Sequence, residues 1–488
     1  MRAPAKKRVR RSAPATLSAR LGGDVRLEPR ADGKITASVE GYALGFGTLS
    51  PAAATRAAEL NAGLPLSSFG PGGGKVGREL EQLVRRLTRH GLLEYRLGRG
   101  RSGHDLVVIE PQTPDYWPRQ PPLGDADAVV LSRFAYMRRR GQDTVLESPR
   151  SAALFKICDP KIASVIASLS TPQRVRALRR QDGFPGVELL ALLLDCRILF
   201  KVDAAHDQGL RPTEGDGNLV LWDFHDLLFH TRSTAGRHAN PLGGLYRYAG
   251  ALAPPPAIRP AWPGKKIDLR RFSEEPSPGA SPVATLLRER HSTRSFDEAR
   301  PITLAELSRF LAGAARVVST SSSEIDLGDG NTVVTYAARP YPSAGAAYEL
   351  ELYLGVDTCE GLARGFYHYD AGEHALTEID AGPQELHALL TGAADAMGVP
   401  AAPQVLITVA ARFGRLSWKY SSIAYALVLR DVGVLLQSFY LMAAGVGLGG
   451  CAIGIANIEL FAKMTGIEFH VEGPVGQFAI GRGTAANQ

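Results

Sequence analysis

The chain has 488 residues, more than one hydrophobic core usually holds, because single domains contain about 100–200 residues. Hydrophobic residues make up 45% and charged residues 22% of the sequence, a balance that predicts folded domains and excludes a globally disordered chain. The net charge of +7 does not by itself indicate nucleic-acid binding, because part of the basic excess lies near the N-terminus.

The N-terminus and the cysteines bear on where the chain works. Residues 1–20 contain the run KKRVRR and no acidic residue, which predicts a flexible basic tail, with an organellar transit peptide as the alternative. The cysteines are widely spaced and form no CxxC pair, so they predict neither a disulfide framework nor a zinc site. They are Cys158, Cys196, Cys359 and Cys451. We therefore expect a cytoplasmic protein without a metal.

A long apolar run extends from Tyr425 to Gly450 and is interrupted by Arg430, Asp431 and Gln437. Charged side chains are costly inside a bilayer, so we expect a buried helix here and no membrane partner. Because the run is apolar on most faces, the helix is expected to be central to its domain or to a dimer interface.

The front half contains a loose internal repeat, in which an amphipathic helix leads into a strand. In the first copy, apolar residues recur at helical spacing before the alternating strand Leu92 to Leu97. In the second copy, Leu189 to Leu194 precede the strand Ile198 to Val202. A helix followed by a strand pair is typical of a winged helix. The pattern therefore predicts two small winged-helix-like α+β domains, over residues 21–120 and 121–215.

Three functions are open for these two domains. An exposed strand can accept a peptide by edge pairing, a recognition helix can bind DNA, and a structural cap does neither. The second helix offers leucines and one Arg197, too few cations to follow a phosphate backbone, so we expect no nucleic-acid partner. Residues 216–270 are predicted to form a connector, in which His225, His230 and His238 have spacings that match no helical metal site.

The chemistry is expected in residues 271–488, where the sequence RHSTRSF follows an amphipathic stretch. Arg290 and Arg294 are four residues apart. In a helical turn they would share a face with Ser292 and offer donors to a phosphate or to a flavin edge. A cluster of arginine and serine is also common on solvated faces, so the cluster alone indicates little.

Two glycine-containing loops are further candidates for ligand contact. The sequence Tyr341-Pro-Ser-Ala-Gly-Ala346 precedes a strand-like segment, and such a loop lets backbone amides approach a ligand. The glycines near residue 449 follow the long apolar helix and lack the strand–loop–helix context of a dinucleotide-binding fingerprint. A further helix is predicted to begin at Thr303, where Glu306 completes a capping box.

Together these motifs resemble the nitroreductase superfamily, and within it the SagB/McbC-type azoline dehydrogenases of ribosomal peptide natural-product pathways. Residues 280–483 carry the resemblance. RHSTRSF resembles the flavin-binding Arg-x-Ser-x-Arg segment of that family, PSAG its second flavin loop, Trp418-Lys419-Tyr420 its Lys-Tyr pair, and GLGGCAIG its loop near the flavin ring. WDFHDLLFHTRS resembles the segment that often precedes these domains.

The resemblance implies a nitroreductase-like FMN domain, with an antiparallel-rich sheet flanked by helices, so the whole chain is predicted to be of the α+β class. It also implies a homodimer, in which Ser343 and Gly345 reach the FMN of the other subunit. The residues assigned to FMN by the resemblance are Arg290, His291, Ser292, Arg294, Pro342, Ser343, Ala344, Gly345, Gln437, Gly449, Gly450 and Arg482.

By the same resemblance, the reaction is the oxidation of a thiazoline or oxazoline ring in a modified peptide to the aromatic azole. A proton leaves one ring carbon and a hydride leaves its neighbour, so a base has to face the flavin across the substrate. Lys419 and Tyr420 are the catalytic candidates. An ordinary lysine titrates near ~10.4, so a basic Lys419 needs surroundings that disfavour its charge. Without the resemblance, the pair would be ordinary surface residues at a helix start.

The implied partners are an azoline-containing precursor peptide and a cyclodehydratase of the same pathway. The winged-helix-like domains resemble the elements that capture leader peptides in such pathways, which favours peptide binding over the two other functions.

The sequence departs from the family pattern after Tyr420. Where an Arg-x-Tyr-Arg run and later Gly-His and Gln-Asn pairs are typical, the chain has Ile423-Ala-Tyr-Ala426, Gly433-Val434 and Gln437-Ser438. Two other functions therefore stay open. One is a general flavin reductase that uses NAD(P)H, and the other is a peptide-binding scaffold without catalysis.

Overall fold

The chain folds into two compact units in the computed structural model, one of residues 1–232 with 236–240 and one of residues 233–235 with 241–488. We call them unit 1 and unit 2. The residues that the structure describes are 15–29, 33–39, 42–70, 73–99, 104–202, 214–238, 242–246, 249–259, 261, 263, 265–270, 281–326 and 331–484.

Unit 1 is mainly β-structure. Its strands are β1 (Ala15–Leu21), β2 (Arg26–Pro29), β3 (Lys34–Val39), β4 (Tyr42–Thr48), β5 (Leu64–Pro65), β6 (Leu93–Arg99), β7 (His104–Pro111), β8 (Ala128–Leu131), β9 (Tyr136–Arg140), β10 (Asp143–Glu147), β11 (Ala153–Ile157), β12 (Gln173–Arg174) and β13 (Leu199–Lys201). A seven-stranded antiparallel sheet has the order β5-β1-β6-β7-β11-β10-β9. Two smaller sheets have the orders β2-β3-β4 and β12-β8-β13.

The helices of unit 1 follow the predicted repeat. They are α1 (Pro51–Ala57), α2 (Gly74–Arg89), α3 (Pro160–Ser168), α4 (Val175–Leu178), α5 (Val187–Asp195) and α6 (Phe224–Ser233). Helix α2 buries Leu80, Leu83, Val84 and Leu87 and leads into the hairpin β6–β7. Helix α5 leads into β13, and the following residues 203–213 lie outside the described part of the chain. The first copy therefore has the helix and hairpin that the winged-helix pattern predicts.

Two features of unit 1 differ from the predicted division of the chain. A flexible tail is predicted over residues 1–20, but Ala15–Leu21 forms β1, because Ala19 and Leu21 alternate into the core. Residues 1–14 lie outside the described part. The large sheet also crosses the boundary predicted at residue 120, since β7 pairs with β11. The two segments predicted as winged-helix-like domains thus share one sheet and one hydrophobic core.

The predicted connector begins with ordered structure. Leu227 and His230 on α6 are buried, and the His230 ring stacks on the Trp222 ring at a centroid distance of 6.0 Å. His230 therefore packs within unit 1, as a histidine under a connector is expected to. Among the described residues, no cluster of three His, Cys, Asp or Glu side chains forms a possible metal site.

Unit 2 has the predicted α+β architecture, with an antiparallel sheet flanked by helices. Its strands are β14 (Ser319–Asp326), β15 (Asn331–Ala338), β16 (Leu350–Val356), β17 (Gly365–Asp370), β18 (Ala375–Ile379), β19 (Val405–Arg412), β20 (Gly449–Ile453) and β21 (Glu472–Gly481). Its helices are α7 (Pro282–Glu289), α8 (Leu304–Ala314), α9 (Pro383–Met397), α10 (Phe413–Ser417), α11 (Ala424–Gly445) and α12 (Ile458–Thr465). The sheet order is β18-β17-β16-β19-β21-β20, and β14 and β15 form a separate hairpin.

Helix α11 is the long apolar helix that the sequence predicts. It contacts α7, α8, α10, β20 and β21. Phe439 on α11 meets Phe310 of α8 and Phe478 of β21 at ring-centroid distances of 5.2 and 5.3 Å. By length and composition α11 could cross a membrane, a test that core helices of water-soluble proteins also pass. Its aromatic contacts within unit 2 explain part of its apolar sequence.

Candidate functional site

The segment Arg290–Arg294, which we call the Arg290 segment, lies beside the loop that enters β20. Thr293 N–H donates to Gly450 O (2.8 Å), and Ser292 forms a parallel bridge with Gly450. The helical turn considered for this segment is wrong: α7 ends at Glu289, and Arg290 is extended (φ −58°, ψ 132°). Pairing with the Gly450 loop, and not a shared helix face, fixes the segment.

Tyr440 connects the Arg290 segment to the rest of unit 2. Its hydroxyl lies 2.8 Å from Ser292 Oγ and accepts a hydrogen bond from Ala452 N–H (2.9 Å). The Arg290 guanidinium lies 5.1 Å from the centroid of the same ring, within cation–π range. One tyrosine on α11 thus orients a cation and a hydroxyl of the segment.

The two glycines of this loop are required by close packing. A β-carbon at Gly449 would lie 2.6 Å from Thr293 Oγ1, and one at Gly450 would overlap the Phe478 ring. A real β-carbon does not approach other atoms so closely, so a side chain at either position would push the Arg290 segment or Phe478 away.

An open cleft of about 440 Å³ lies over this arrangement, within the size range of cofactor sites. Its lining combines a cation, hydroxyl and backbone donors, and small apolar residues. The lining residues are Glu289, Arg290, His291, Thr293, Tyr440, Ala443, Ala444, Gly447, Leu448, Gly449, Gly450 and Gly483. A lining that combines a guanidinium with glycine backbone fits a phosphate and a flavin.

His291 lines this cleft, and Arg294 and Arg482 are two further residues assigned to FMN. His291 is exposed, and its Nδ1 lies 3.1 Å from Glu289 O. Arg294 lies near Cys451; burial raises the pKa of that thiol, and Arg294 acts against the rise. Arg482 donates to both carboxylate oxygens of Glu306 (2.7 and 2.8 Å). The phosphate contact of Arg482 stays a prediction, because the structure gives its guanidinium a carboxylate partner.

Glu306 also confirms the predicted capping box of α8. Thr303 Oγ1 accepts from Glu306 N–H, and Glu306 Oε2 accepts from Thr303 N–H (2.9 Å). Burial raises the pKa of Glu306, but the hydrogen bonds from Thr303 and Arg482 outweigh it and hold the pKa below its usual range.

The loop Pro342–Gly345, which we call the Ser343 loop, is held by a carboxylate on α11. Asp431 Oδ2 accepts from Ser343 Oγ (2.9 Å) and from Ala344 N–H (2.8 Å). Ser343 Oγ also accepts from Tyr348 N–H (2.9 Å) and lies 3.3 Å from Glu349 Oε2. A buried carboxyl pair, Asp431 and Glu349, therefore lies behind the loop.

Glu349 is completely buried, and its Oε1 has no hydrogen-bond partner. Burial and the neighbouring Asp431 carboxylate together raise the pKa of Glu349 to about 7, and burial is the larger cause. A carboxyl with this pKa changes its protonation near neutral pH, unlike an ordinary glutamate.

Lys419 and Tyr420 meet the Ser343 loop. Both lie in the turn after α10, and Lys419 Nζ donates to Gly345 O (3.3 Å). A β-carbon at Gly345 would lie 2.6 Å from Lys419 Nζ and in direct overlap with Tyr420 OH. The Lys419 side chain is exposed and also lies 5.9 Å from the centroid of the Tyr336 ring on β15. Residues 74 positions apart in sequence are thus in contact.

Two separate groups of site residues therefore lie along α11. Asp431 holds the Ser343 loop and Tyr440 holds the Arg290 segment, and these anchors are nine residues apart on the helix. At 1.5 Å per residue the separation is about 14 Å. Gln437 is exposed on α11, one turn before Tyr440.

Comparison with known proteins identifies the fold and family. The nitroreductase family model matches residues 287–482, and the model of the cyanobactin oxidase ThcOx matches residues 129–239. A protein of Methanocaldococcus jannaschii that is named as a nitroreductase is 32% identical over 169 residues, or 35% of this chain and 76% of the relative. This chain belongs to the nitroreductase family. It is an oxidoreductase of that family, whose members typically use a flavin.

Two of the solved structures that are similar to this nitroreductase-family chain have low sequence identity to it. The microcin synthetase complex McbBCD of E. coli, with truncated pro-MccB17 bound, is 20% identical and has a TM-score of 0.39, over 55% of this chain and 96% of that chain. A protein of Ralstonia eutropha that is named as a nitroreductase is 23% identical and has a TM-score of 0.31. The match covers 43% of this chain and 88% of the Ralstonia chain.

Sequence reasoning missed three residues that organise the nitroreductase-like site. Tyr440, Glu349 and Asp431 belong to none of the motifs quoted for the resemblance. Asp431 carries a signal, because a lone acidic residue within a long apolar helix needs a polar partner. Tyr440 and Glu349 carry none, since their contacts depend on the fold.

Proposed function

We propose that this chain is an FMN-dependent oxidase that converts thiazoline or oxazoline rings of a ribosomally made peptide to thiazoles or oxazoles in the cytoplasm. The observation that carries the proposal is the contact of Lys419 and Tyr420 with the Ser343 loop, which brings the base candidates to a loop assigned to the flavin. The ThcOx match at residues 129–239, in a chain that also has a nitroreductase domain, supports the azoline substrate.

Residues of both groups on α11 would hold FMN. The Arg290 guanidinium and the donors of the cleft suit the phosphate and the pyrimidine edge, and Gly449 and Gly450 line the same cleft. When bound, FMN supplies an acceptor for two electrons at the azoline.

The chain's own residues bind the ring and take up a proton. Oxidation of an azoline removes a proton from one ring carbon and a hydride from the next, so the proton needs an acceptor beside the ring. Lys419 Nζ and Tyr420 OH are the candidate acceptors. Lys419 is exposed in the single chain, so the substrate and a second subunit have to supply the covering that favours its neutral form.

A homodimer is part of the proposal. Large apolar side chains on and next to α11 are exposed in the single chain. Their exposed fractions are 51% for Trp418, 49% for Ile423 and 37% for Val434, and a partner subunit would cover them. In such a dimer, the Ser343 loop of one subunit faces the FMN held by the Arg290 segment of the other. A stable FMN-loaded monomer in a native mass measurement would contradict this arrangement.

Unit 1 is proposed to bind the precursor peptide. Strand β9 (Tyr136–Arg140) lies at one edge of the seven-stranded sheet, and an edge strand can pair with an extended peptide. Two of its arginines, Arg138 and Arg140, are partly exposed and pair with Glu147 and Glu110. A leader-free substrate that is oxidised as fast as the full precursor would contradict leader capture. A cyclodehydratase that makes the azolines is the further expected partner.

The experiment that tests the catalytic proposal follows the mass of an azoline-bearing peptide incubated with the yellow, full-length protein in air without NAD(P)H. We expect a loss of about two mass units per ring, the mass of the two hydrogens removed. Lys419→Ala is expected to abolish the loss while FMN stays bound, because Lys419 takes up the proton and does not anchor the flavin.

Lys463→Ala is the matched control, since Lys463 is exposed and pairs with Glu385 away from the Ser343 loop. An unchanged peptide mass together with rapid NAD(P)H oxidation would replace the proposal with a general flavin reductase. Colourless, flavin-free protein that still binds the peptide would replace it with a scaffold.

A further inference from the structure

The hydrogen bonds of Ser343 define the protonation of the buried carboxyl pair. Ser343 Oγ has one proton and two lone pairs, and three groups surround it. Tyr348 N–H donates to it (2.9 Å), and Asp431 Oδ2 accepts from it (2.9 Å), since Asp431 also accepts from Ala344 N–H. The third contact, Glu349 Oε2 at 3.3 Å, is satisfied only if Glu349 carries a proton and donates.

The surroundings of Glu349 agree with a neutral carboxyl. Asp431 is the charged group that faces it from α11, and the buried Tyr341 lies on the segment before the loop. The nearest cation on that segment, Arg339, donates to Leu350 O (3.0 Å) and lies 4.0 Å from Glu351. No described cation pairs with Glu349, so an ionised Glu349 would place two like charges together in a buried site.

The Ser343 loop leads directly into backbone that is unfavourable by itself. Gly345 at the end of the loop, and Ala346 and Tyr348 after it, have positive φ angles of 57°, 54° and 45°. Non-glycine residues rarely adopt this region, so surrounding contacts have to hold them there. Asp431 supplies two of these contacts, at Ser343 and Ala344, and Arg415 supplies another by donating to Ala347 O (2.9 Å).

We propose that Glu349 and Asp431 are positioning residues that share one proton, with protonated Glu349 and ionised Asp431 together holding the Ser343 loop against Lys419 and Tyr420. Loss of the Glu349 proton places two carboxylates behind Ser343, and the loop is released. The importance of this carboxyl pair for azoline oxidation rests on the proposed function. Its effect on the Ser343 loop does not depend on that function.

Hydrogen exchange in the 341–349 segment of the full-length protein tests the proposal directly. Between pH 6 and 9, after correction for the intrinsic exchange rate, we expect wild-type exchange to accelerate by about tenfold, because the loop opens when Glu349 ionises. Glu349→Gln keeps a donor to Ser343 at every pH, so its corrected exchange is expected to stay flat. Asp431→Asn removes the like charge, so its transition is expected at lower pH than in the wild type.

Glu351→Gln is the matched control, because Glu351 is two residues away and its carboxylate faces Arg339, Arg412 and His368. It is expected to follow the wild type. Wild-type exchange that stays flat, a Glu349→Gln variant that keeps the wild-type transition, or a Glu351→Gln variant that loses it would each overturn the proposal.

FMN affinity measured over the same pH range separates this inference from the proposed function. We expect the wild type to bind FMN about tenfold more weakly at pH 9 than at pH 6, and Glu349→Gln to bind equally at both, since an ordered loop lowers the cost of binding. A pH transition in hydrogen exchange without any FMN binding would contradict the proposed function. It would still support the proposal that Glu349 and Asp431 hold the loop.

Discussion

The side chains that organise the site act through hydrogen bonds that motifs do not reveal. Tyr440 OH accepts from Ala452 N–H and contacts Ser292 Oγ, a residue 148 positions away. Tyr440→Phe removes these bonds and keeps the ring. We expect the free energy of unfolding to fall by about 1–2 kcal/mol, because a part-buried donor loses its partner. Thermal unfolding and an FMN titration measure the effect, and FMN binding is expected to weaken.

Tyr42→Phe is the control for this prediction. Tyr42 is 75% exposed on β4 of unit 1, so loss of its hydroxyl is expected to change neither quantity. If Tyr440→Phe bound FMN as tightly as the wild type, Tyr440 would not orient the Arg290 segment for the flavin.

Gly345 provides a second test at the residue scale. Its φ of 57° and its contact with Lys419 both disfavour a side chain. In Gly345→Ala the methyl group displaces Lys419 and Tyr420, so azoline turnover is expected to fall by tenfold or more, since small misplacements of reacting groups are costly. Gly392→Ala is the control: Gly392 lies in α9 with open space around it, and alanine there is expected to stabilise the protein by about 0.5–1 kcal/mol.

The sequence indicated candidate residues that belong to short motifs and missed those that act across the fold. Lys419, Tyr420 and Gly345 were found by resemblance, and the structure brings Gly345 into contact with the other two. Glu349 lies six residues from Ser343 but points into the core, and a strand-like glutamate carries no signal of that burial.

At the scale of elements, α11 is fixed by an aromatic cluster. Phe439 is fully buried and packs between Phe310 and Phe478. Phe439→Ala is expected to lower the free energy of unfolding by about 3–5 kcal/mol, through lost burial and the cavity left behind. Denaturant unfolding measures the loss. Phe439→Leu keeps most of the apolar volume, so an equal loss in both variants would contradict a packing effect.

Elements with a buried periodic face were predictable, and exposed elements were not. Helices α2, α5 and α11 lie where apolar periodicity predicts them, and α8 begins at its capping box. The hairpin of β14 and β15 was not predicted, because β14 (Ser319–Asp326) is polar and mostly exposed and lacks alternation. Strand β1 was assigned to the basic tail, because seven residues next to an arginine-rich run give too short a pattern.

For the whole molecule, the buried Glu349 predicts a pH dependence of stability. Its pKa is about 7 in the folded state and near 4.5 in the unfolded state. Between pH 4.5 and pH 7, Glu349 therefore binds its proton more fully in the folded state than in the unfolded state. The contribution is fully present below pH 4.5 and is lost as the pH rises through 7, a total of about 3 kcal/mol. The unfolding free energies of wild type and Glu349→Gln, measured from pH 4.5 to 8, isolate this contribution by difference.

Other carboxyl groups also change stability with pH, those with a lowered pKa in the opposite direction, and the comparison with Glu349→Gln removes their contributions. Glu306, for example, has a lowered pKa, so its contribution is lost as the pH falls. Two parallel stability curves for wild type and Glu349→Gln would contradict the assignment of the proton to Glu349.

The division of the chain was predictable only in part at this scale. The catalytic unit was located from its motifs, and the family match at residues 287–482 lies within it. The front half was predicted as two bodies, but its largest sheet spans both, since β7 pairs with β11 across residue 120. Strand pairing between distant segments leaves no periodic signal in either of them.

The separation of the two anchors on α11, Asp431 for the Ser343 loop and Tyr440 for the Arg290 segment, has a genetic consequence. If each active site draws one group of residues from each subunit, a chain with a substitution at Arg290 and a chain with a substitution at Lys419 carry defects in different halves of the active site. Their mixed dimers contain one doubly damaged site and one intact site. Two inactive alleles expressed together would therefore restore activity by complementation, whereas two alleles of the same half would not.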